Sequence, residues 1–270
     1  SRGIAAAVSE ILSNGSEGSG EVTYFGHGST VATNALIEKR GVRTGLITTA
    51  GFRDMLELGR QRRPDLYDLQ VDKPEPLVSR DNRIEVSERV HYDGQVERTL
   101  DEAEVRAAVR RLRKADVQAV AVCFLYSYVF PDHERVVKRI IEEEFPDAFV
   151  SVSHEVVPEF REYERLSTVV INAYLGPVIG RYLSALQPKL AKAGVHVTPH
   201  ITQSNGGVIS FETASQIPVR TVLSGPSTGL VGATYVASLS NFDNLITFDM
   251  GGTSCDVSLI EGGHPKLTGE

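Results

Sequence analysis

A glycine turn with neighbouring hydroxyl groups lies near the end of the sequence, in the stretch LITFDMGGTSCDVSLIEGG (residues 245–263). Gly251 and Gly252 carry no Cβ, so their backbone N–H groups can approach an anion closely. Thr253 and Ser254 add two hydroxyl donors beside them. The turn is therefore a candidate for holding phosphate oxygens, and the alternative is an ordinary tight hairpin.

Two carboxylates, Asp249 and Asp256, flank the same turn. Carboxylates repel phosphate, so they fit an anion site only where a cation or a water molecule lies between them and the phosphate. A magnesium nucleotide supplies both, because Mg²⁺ keeps several waters and binds one or two carboxylates together with phosphate oxygens. Asp249 is therefore a candidate catalytic and metal-binding residue, and Asp256 a second ligand for Mg²⁺ or Mn²⁺.

A histidine near the start of the chain stands where a strand-like run gives way to a helix. His27 follows the run VTYFG, and either Ser29 or Thr30 can cap the helix that comes next. The N-terminus of a helix offers unpaired N–H groups and a positive potential to an anion. His27 is a candidate catalytic residue that would bind substrate or phosphate, and the alternative is a partly buried histidine in a capping turn.

Three further polar stretches each leave two interpretations open. Residues 203–207 (QSNGG) form either a polar turn that reaches a cleft or a plain loop. Residues 160–165 (FREYER) belong either to a site or to an ion-paired helix surface, since residues three and four apart share a helix face. Residues 59–64 (GRQRRP) are either a solvated turn or a contact for an anion.

The composition argues against several classes of protein. The chain has 270 residues, of which 41% are hydrophobic, as in soluble globular proteins. A net charge of -7 argues against nucleic-acid binding. We expect no membrane-spanning segment, and the two cysteines, Cys123 and Cys255, indicate a reducing cytoplasm. No P-loop sequence is present, which argues against P-loop enzymes.

The elements that would position these groups alternate between strands and helices with short loops, which predicts an α/β fold. Residues 64–100 interrupt this order and are interpreted as an inserted surface lobe with an Asp-Gly hairpin turn. A long helical region follows, with a break predicted at Gly176-Pro177. A helix of small residues, TVLSGPSTGLVGATYVASL, then leads directly into the glycine hairpin.

A small-residue helix followed by a strand ending in Asp-x-Gly-Gly resembles the actin-like ATPase superfamily, which includes sugar kinases and heat-shock ATPases. In that superfamily the hairpin holds the nucleotide phosphates. The resemblance implies that residues 249–253 contact phosphate and metal, and that Gly225, at the opening of the helix, helps bind the cofactor ATP. The implied fold is an α/β actin-like (ribonuclease H-like) domain with an inserted β-hairpin lobe and the first hairpin of a second lobe.

Five segments in order resemble the hydantoinase/oxoprolinase family, whose HyuA-type members include ATP-dependent N-methylhydantoinase, 5-oxoprolinase, and acetone and acetophenone carboxylases. The segments are HGSTVATNALIEKRGVRTGLITTAGFRDMLELGRQRRPDLYDL, FREYERLSTVVINAYLGP, TQSNGG, LSGPSTGLVGA and DMGGTSCDVSLIEGG. The likeness covers nearly the whole chain.

The resemblance implies a function in which ATP phosphorylates a cyclic amide, hydantoin or 5-oxoproline, so that water can displace the activated oxygen. An ATP-dependent ketone carboxylase of the same family is the alternative. From other classes, a nucleotide-dependent binding or regulatory module and a small-molecule kinase stay open. The implied partners are a HyuB-type subunit and a small cyclic amide or ketone substrate, and a homo-oligomer is a further expectation.

The resemblance also implies boundaries. Residues 1–239 are expected to form the first ATPase-like lobe, with the family's N-terminal region over about 1–165 and its hydantoinase A region beginning at about 180. Residues 240–270 would begin a second lobe. Family members carry an earlier phosphate loop and continue further, so we expect a chain truncated at both ends that is inactive by itself.

Overall fold

The computed structural model describes residues 2–14, 22–62, 65, 67–68, 70–250 and 255–266. The helices in these ranges are α1 (Arg2–Asn14), α2 (Val31–Ile37), α3 (Met55–Leu58), α4 (Glu102–Lys114), α5 (Asp132–Glu144), α6 (Ser153–Val156), α7 (Glu162–Lys192), α8 (Phe211–Gln216) and α9 (Ser224–Leu239). The strands are β1 (Phe25–His27), β2 (Thr44–Thr49), β3 (Arg83–Val86), β4 (Arg89–Val90), β5 (Val96–Arg98), β6 (Ala119–Cys123), β7 (Phe149–Val152), β8 (Pro199–Thr202), β9 (Val208–Ser210), β10 (Leu245–Met250), β11 (Cys255–Glu261) and β12 (His264–Pro265).

The chain divides into two compact units. Unit 1 comprises Ser1–Arg40 and Ile179–Glu270, and unit 2 comprises Gly41–Val178. Unit 1 crosses residue 240, where we expected a second lobe to begin, and that lobe boundary stays a prediction. Both units mix helices with strands, so the predicted α/β class is confirmed.

Unit 2 is built on a parallel sheet in the strand order β3-β2-β6-β7. Every residue of β2 and β6 is buried, which is typical of parallel strands covered on both faces. Helices α4 and α5 pack on one face, where Leu112 approaches β2 so closely that a Cβ on Gly45 would lie 2.6 Å from it. On the other face, the hydroxyl of Ser151 donates to the carbonyl oxygen of Val169 in α7, at 3.2 Å.

The predicted inserted lobe is correct only in part. The antiparallel hairpin β4–β5 forms around the expected Asp-Gly turn, with Val90 paired to Val96. Strand β3, however, is an edge strand of the parallel sheet of unit 2 and is not part of a surface insertion. Its apolar residues Ile84 and Val86 are buried in the core of the unit, and this burial outweighs the turn-rich character of the preceding sequence.

The predicted break in the long helix is wrong, because α7 continues without interruption from Glu162 to Lys192. A proline inside a helix removes one hydrogen bond, and Pro177 is accommodated here within a well-packed helix. Gly176 packs closely against Phe149, since a Cβ on the glycine would lie 2.4 Å from the phenyl ring. Tertiary packing therefore stabilises the helix at the predicted breaking point.

Helix α7 also corrects the expectation that no segment is suited to a membrane. Within the described residues it is the one helix long and apolar enough to cross a bilayer by length and composition. Its most apolar window is 56% buried inside the protein. A core helix of a soluble protein meets the same criterion, so the length and composition of α7 are weak evidence for a membrane span.

Unit 1 contains two small sheets. Strand β1 runs parallel to β8, and β8 pairs antiparallel with β9 across the glycine turn predicted from the sequence. Strands β10, β11 and β12 form the second sheet, in which β10 and β11 are the predicted hairpin. Helix α9 connects the two sheets along the chain, as its position in the sequence indicated.

Polar side chains converge in unit 2 just beyond the carboxyl ends of β6 and β7. Glu134 is fully buried and accepts hydrogen bonds from the backbone N–H of Phe124 at 3.0 Å, the backbone N–H of His154 at 3.0 Å and the hydroxyl of Ser153 at 2.7 Å. Nδ1 of His154 lies 2.7 Å from the same carboxylate. One carboxylate thereby ties together the segments that follow two neighbouring strands.

Arg165 contradicts the interpretation of residues 160–165 as an ion-paired surface. Its side chain is buried, and it donates to the carbonyl oxygen of Phe124 at 2.7 Å and to that of Glu159 at 3.0 Å. The guanidinium also lies over the ring of Tyr128. Among ion pairs between described residues, that of Glu164 with Arg60 is the one exposed pair that this stretch forms.

The two cysteines differ in environment. Cys123 is buried at the end of β6, and burial raises the pKa of its thiol to about 12. Cys255 is exposed at the start of β11. The buried thiol is therefore protonated and unreactive at neutral pH, whereas the other is open to solvent.

Candidate functional site

The segment His27 to Thr30 connects β1 to α2 in unit 1, as the sequence predicted. Nε2 of His27 lies 2.7 Å from the hydroxyl oxygen of Tyr182 in α7. Burial lowers the pKa of His27 below its ordinary value of 6.5. The imidazole is consequently neutral at pH 7 and serves as a hydrogen-bonding group held in place by Tyr182.

The cap of α2 joins this segment to the start of α9. The backbone N–H of Val31 donates to the hydroxyl of Ser29 at 3.3 Å, whereas Thr30 makes no capping bond with its side chain. The hydroxyl of Ser224 donates to the carbonyl oxygen of Ser29 at 3.0 Å. The N-termini of α2 and α9 therefore lie side by side.

Two glycines make this close approach possible. A Cβ on Gly28 would lie 2.8 Å from Oγ1 of Thr228, and a Cβ on Gly225 would lie 2.6 Å from Cγ2 of Thr30. Real Cβ atoms do not come that close to other heavy atoms, so a larger residue at either position would force the neighbouring atoms to move. Gly225 is thus placed at the helix start that the sequence predicted for it, in the first turn of α9.

A threonine pair extends the same cluster to β8. Oγ1 of Thr228 lies 2.8 Å from Oγ1 of Thr202 and 2.7 Å from the carbonyl oxygen of Ser224. The hydroxyl of Ser227 donates to the carbonyl oxygen of Ser204 at 3.0 Å. The segment around β8 therefore reaches the start of α9 through hydroxyl and carbonyl groups.

The turn after β8 mainly satisfies its own backbone. The side chain of Asn205 accepts a hydrogen bond from the backbone N–H of Gly207 at 2.9 Å. The backbone N–H of Gln203 donates to the carbonyl oxygen of Gly207 at 2.8 Å. These contacts favour the plain-loop interpretation for this turn, and the link to α9 comes from Thr202 and Ser204.

The two predicted carboxylates lie opposite each other in the hairpin, since Asp249 pairs with Asp256 across β10 and β11. They share a face with the fully buried Ile260, because side chains alternate along each strand. A Cβ on Gly229 of α9 would lie 4.0 Å from Oδ2 of Asp249. Asp249 is nevertheless exposed to solvent at the open end of the hairpin.

Four of the predicted phosphate-binding residues, Gly251, Gly252, Thr253 and Ser254, lie outside the residues that the structure describes. The described residues contain no group of three side chains able to hold a metal ion. Two neighbouring carboxylates with solvent access still fit Mg²⁺, which often binds proteins through one or two carboxylates and keeps several waters. Helix α9 has no side-chain cap at its N-terminus, which leaves first-turn N–H groups for an anion.

Among the described residues, contacts link the segment after β1, the start of α9 and Asp249. Gly28 meets Thr228, and the next residue of α9, Gly229, faces Asp249. Sequence reasoning missed Tyr182, Thr202 and Thr228. The only indication in the sequence that Thr202 and Thr228 belong to a site was their position in the TQSNGG and SGPST segments, because threonine is common in proteins. No sequence pattern pointed to Tyr182 in α7.

Comparison with known structures assigns this arrangement to one class, the α/β fold of ATP-dependent caprolactamase and acetone carboxylase. The crystal structure of the caprolactamase from Pseudomonas jessenii superposes with a TM-score of 0.81 at 37% identity, covering 95% of this chain and 38% of the other. The nucleotide-free structure of acetone carboxylase gives a TM-score of 0.79 at 27% identity, covering 90% of this chain and 37% of the other.

Sequence comparisons identify the family. The hydantoinase/oxoprolinase N-terminal region matches residues 1–145, and the hydantoinase/oxoprolinase domain matches residues 165–270. The chain belongs to the hydantoinase/oxoprolinase family. It is 41% identical over 244 residues to the caprolactamase subunit alpha of Pseudomonas jessenii, and 36% identical over 268 residues to the 5-oxoprolinase of Saccharomyces cerevisiae.

These alignments cover 90% and 88% of the chain but only 35% and 20% of the two relatives. The chain thus spans about a third or less of the length of these curated relatives. One of them is named as a subunit, which indicates an enzyme of several subunits in that case.

Proposed function

We propose that the protein carrying this chain is an ATP-dependent hydrolase of cyclic amides, and that unit 1 contributes part of its phosphate site. The observation that supports this most is the convergence of His27–Thr30, the start of α9 and Asp249 in one place. Relatives named 5-oxoprolinase and caprolactamase act on ring amides, and the match to their family covers most of the chain.

In this proposal the residues after β10 hold the phosphate groups of ATP. Gly251 and Gly252 offer backbone N–H groups, Thr253 and Ser254 offer hydroxyls, and Gly225 leaves room at the uncapped start of α9. Asp249 and Asp256 hold Mg²⁺ or Mn²⁺, directly or through water.

ATP would transfer its terminal phosphoryl group to the amide oxygen of the substrate with release of ADP, which makes the amide carbon more electrophilic. Water would then add to that carbon, the ring C–N bond would break with the nitrogen leaving as an amine, and hydrolysis of the resulting acyl phosphate would release phosphate. The contribution of the chain is positioning and neutralisation of charge. His27 is neutral, so it acts as a hydrogen-bonding group toward substrate or phosphate and not as a cation. Its bond to Tyr182 fixes the direction of the ring.

The finer assignments belong to the same proposal. The two units form part of an actin-like, ribonuclease H-like ATPase of the HyuA type, with N-methylhydantoinase among its relatives in function, and residues 240–270 begin its second lobe. A HyuB-type subunit is its partner in the cytoplasm. A second candidate function is an ATP-dependent ketone carboxylase, which the likeness to acetone carboxylase favours.

An assay of ATP hydrolysis separates these functions. The protein carrying this chain, purified with its partner subunit, is incubated with ATP and hydantoin, 5-oxoproline, caprolactam, or acetone with bicarbonate. We expect a ring amide to stimulate release of ADP together with the ring-opened product. Stimulation by acetone with bicarbonate alone would favour the carboxylase. ATP hydrolysis that responds to none of them would contradict both and favour a regulatory module.

A further inference from the structure

A pocket of about 440 Å³ opens in unit 2 beside the C-terminal end of α3. Small-molecule sites in proteins have this size. Cationic, apolar and aromatic side chains line it together with a glycine turn and one carboxylate, that of Glu57. The principal lining residues are Leu58, Gly59, Arg60, Arg62, Lys73 and Tyr163. The pocket thus includes Gly59, Arg60 and Arg62 of the basic stretch for which the sequence left open a solvated turn or an anion contact.

The backbone at this stretch adopts conformations that few residues accept. Gly59 has φ 56° and ψ -134°, close to a region that is essentially restricted to glycine. Gln61 lies in the left-handed region with φ 57°, which is unfavourable for a residue with a Cβ. Gly59 and Gln61 flank Arg60 in the sequence, and both Arg60 and Arg62 line the pocket. Strained backbone of this kind concentrates at ligand sites.

The carboxylates near the pocket are already neutralised by other groups. Oε1 of Glu57 lies 3.2 Å from Nη1 of Arg83, whose guanidinium is buried. Oε1 of Glu164 accepts a hydrogen bond from Nε of Arg60 at 2.8 Å, and this bond lowers the pKa of Glu164. Each carboxylate is therefore matched by one arginine.

Two positive charges remain for a ligand. Nζ of Lys73 donates to the carbonyl oxygens of Leu58 at 2.8 Å and Glu57 at 3.1 Å, which leaves one of its three N–H donors. No carboxylate lies within ion-pair distance of Arg62 or Lys73 in the part of the chain that the structure describes. The pocket therefore carries uncompensated positive charge next to apolar walls.

We propose that this pocket binds a small organic anion. A carboxylate or phosphate group of the ligand contacts Arg62 and Lys73, and its apolar body lies against Leu58 and Tyr163. Guanidinium and ammonium groups bind such oxyanions through charge-assisted hydrogen bonds. The proposal does not rest on the ATP site of the proposed function, since the pocket contains none of the residues in unit 1.

The experiment measures binding of four probes to the 270-residue chain by calorimetry at low ionic strength. Benzoate and phenyl phosphate each carry an anionic group on an apolar ring, benzamide is the neutral counterpart of benzoate, and inorganic phosphate lacks the ring. The variants are Arg62→Gln and Lys73→Gln. Arg98→Gln is the matched control, because Arg98 is an exposed arginine of β5 that does not line the pocket.

We expect at least one aromatic anion to bind, with benzamide and inorganic phosphate weaker, and each pocket variant to weaken the binding by about tenfold or more. Tighter binding of benzoate assigns the site to carboxylates, and tighter binding of phenyl phosphate assigns it to phosphate esters. The Arg62→Gln variant is decisive, since Arg62 has no described partner whose loss would disturb the fold. Unchanged binding in that variant, equal binding of benzamide and benzoate, or failure of both anions to bind would overturn the proposal.

Discussion

A Cβ atom on Gly28 would lie 2.8 Å from the hydroxyl oxygen of Thr228. Glycine at this position allows the segment after β1 to lie directly against the first turns of α9. The same helix faces Asp249 one residue further on, at Gly229. The missing side chain of Gly28 therefore allows two parts of the candidate site in unit 1, the segment after β1 and the start of α9, to pack against each other.

We expect Gly28→Ala to destabilise the chain by about 1–3 kcal/mol, because the new methyl group overpacks the contact with Thr228. Gly232→Ala is the matched control, since Gly232 lies in α9 with nothing within 4 Å of its missing Cβ. Alanine there should stabilise the helix by about 1 kcal/mol. Chemical denaturation of both variants measures the two effects, and a Gly28→Ala protein as stable as the wild type would contradict the close approach.

The pH dependence of stability reports on His27. Burial lowers the folded-state pKa of His27 below 6.5, so the unfolded chain binds the proton more readily. The stability contributed by the neutral imidazole is present above pH 6.5 and is lost as the pH falls from 6.5 toward the folded-state pKa.

Substitution of His27 by Gln should therefore reduce the loss of unfolding free energy between neutral and mildly acidic pH. Denaturation curves at several pH values test this, with His264→Gln as the control because His264 is exposed in the same unit. If both variants keep the pH dependence of the wild type, His27 is not the group responsible.

Asp249→Asn should lower the turnover of ATP by at least about 100-fold in the protein that carries this chain, since it removes a charge proposed to hold the metal ion. The fold should persist, because Asp249 is exposed. Asp243→Asn replaces an exposed carboxylate of the same unit and should leave turnover unchanged. If the Asp249→Asn variant hydrolyses ATP as fast as the wild type, Asp249 does not hold the metal ion and the hairpin has only a structural role.

Glu134→Ala should destabilise unit 2 by about 3 kcal/mol or more, because it leaves the buried backbone N–H groups of Phe124 and His154 without an acceptor. Glu142→Ala on the same helix is the control, since Glu142 is exposed and such changes usually stay within about 0.5 kcal/mol. Equal melting temperatures of the two variants would show that the hydrogen bonds to Glu134 do not contribute to stability.

Local patterns in the sequence predicted the alternation of strands and helices, the Asp-Gly hairpin and the small-residue helix that leads into the glycine hairpin. The runs of β2 and β6, the Asp-Gly hairpin and the small-residue α9 each carry their signal within a few residues. The family resemblance, which comparison confirmed, rested on five segments in order. It also pointed to the segments that meet at the start of α9.

Long-range packing decided the points that sequence reasoning missed. Gly176-Pro177 looks like a helix break in isolation, yet Phe149 packs against that point from a distant strand. Arg165 has the charge of a surface residue, but carbonyl groups of two other segments bind it in the interior. Tyr182 meets His27 only after folding has brought together residues that lie 155 positions apart.

The contrast between Cys123 and Cys255 has a practical use. The first thiol is sealed in the interior with a pKa of about 12, while the second is exposed on the strand that carries Asp256. A maleimide dye should therefore attach at a single position without removal of the native cysteines. The natural sequence thus provides a fluorescent reporter site on the hairpin, where arrival of a nucleotide would change the signal of the dye.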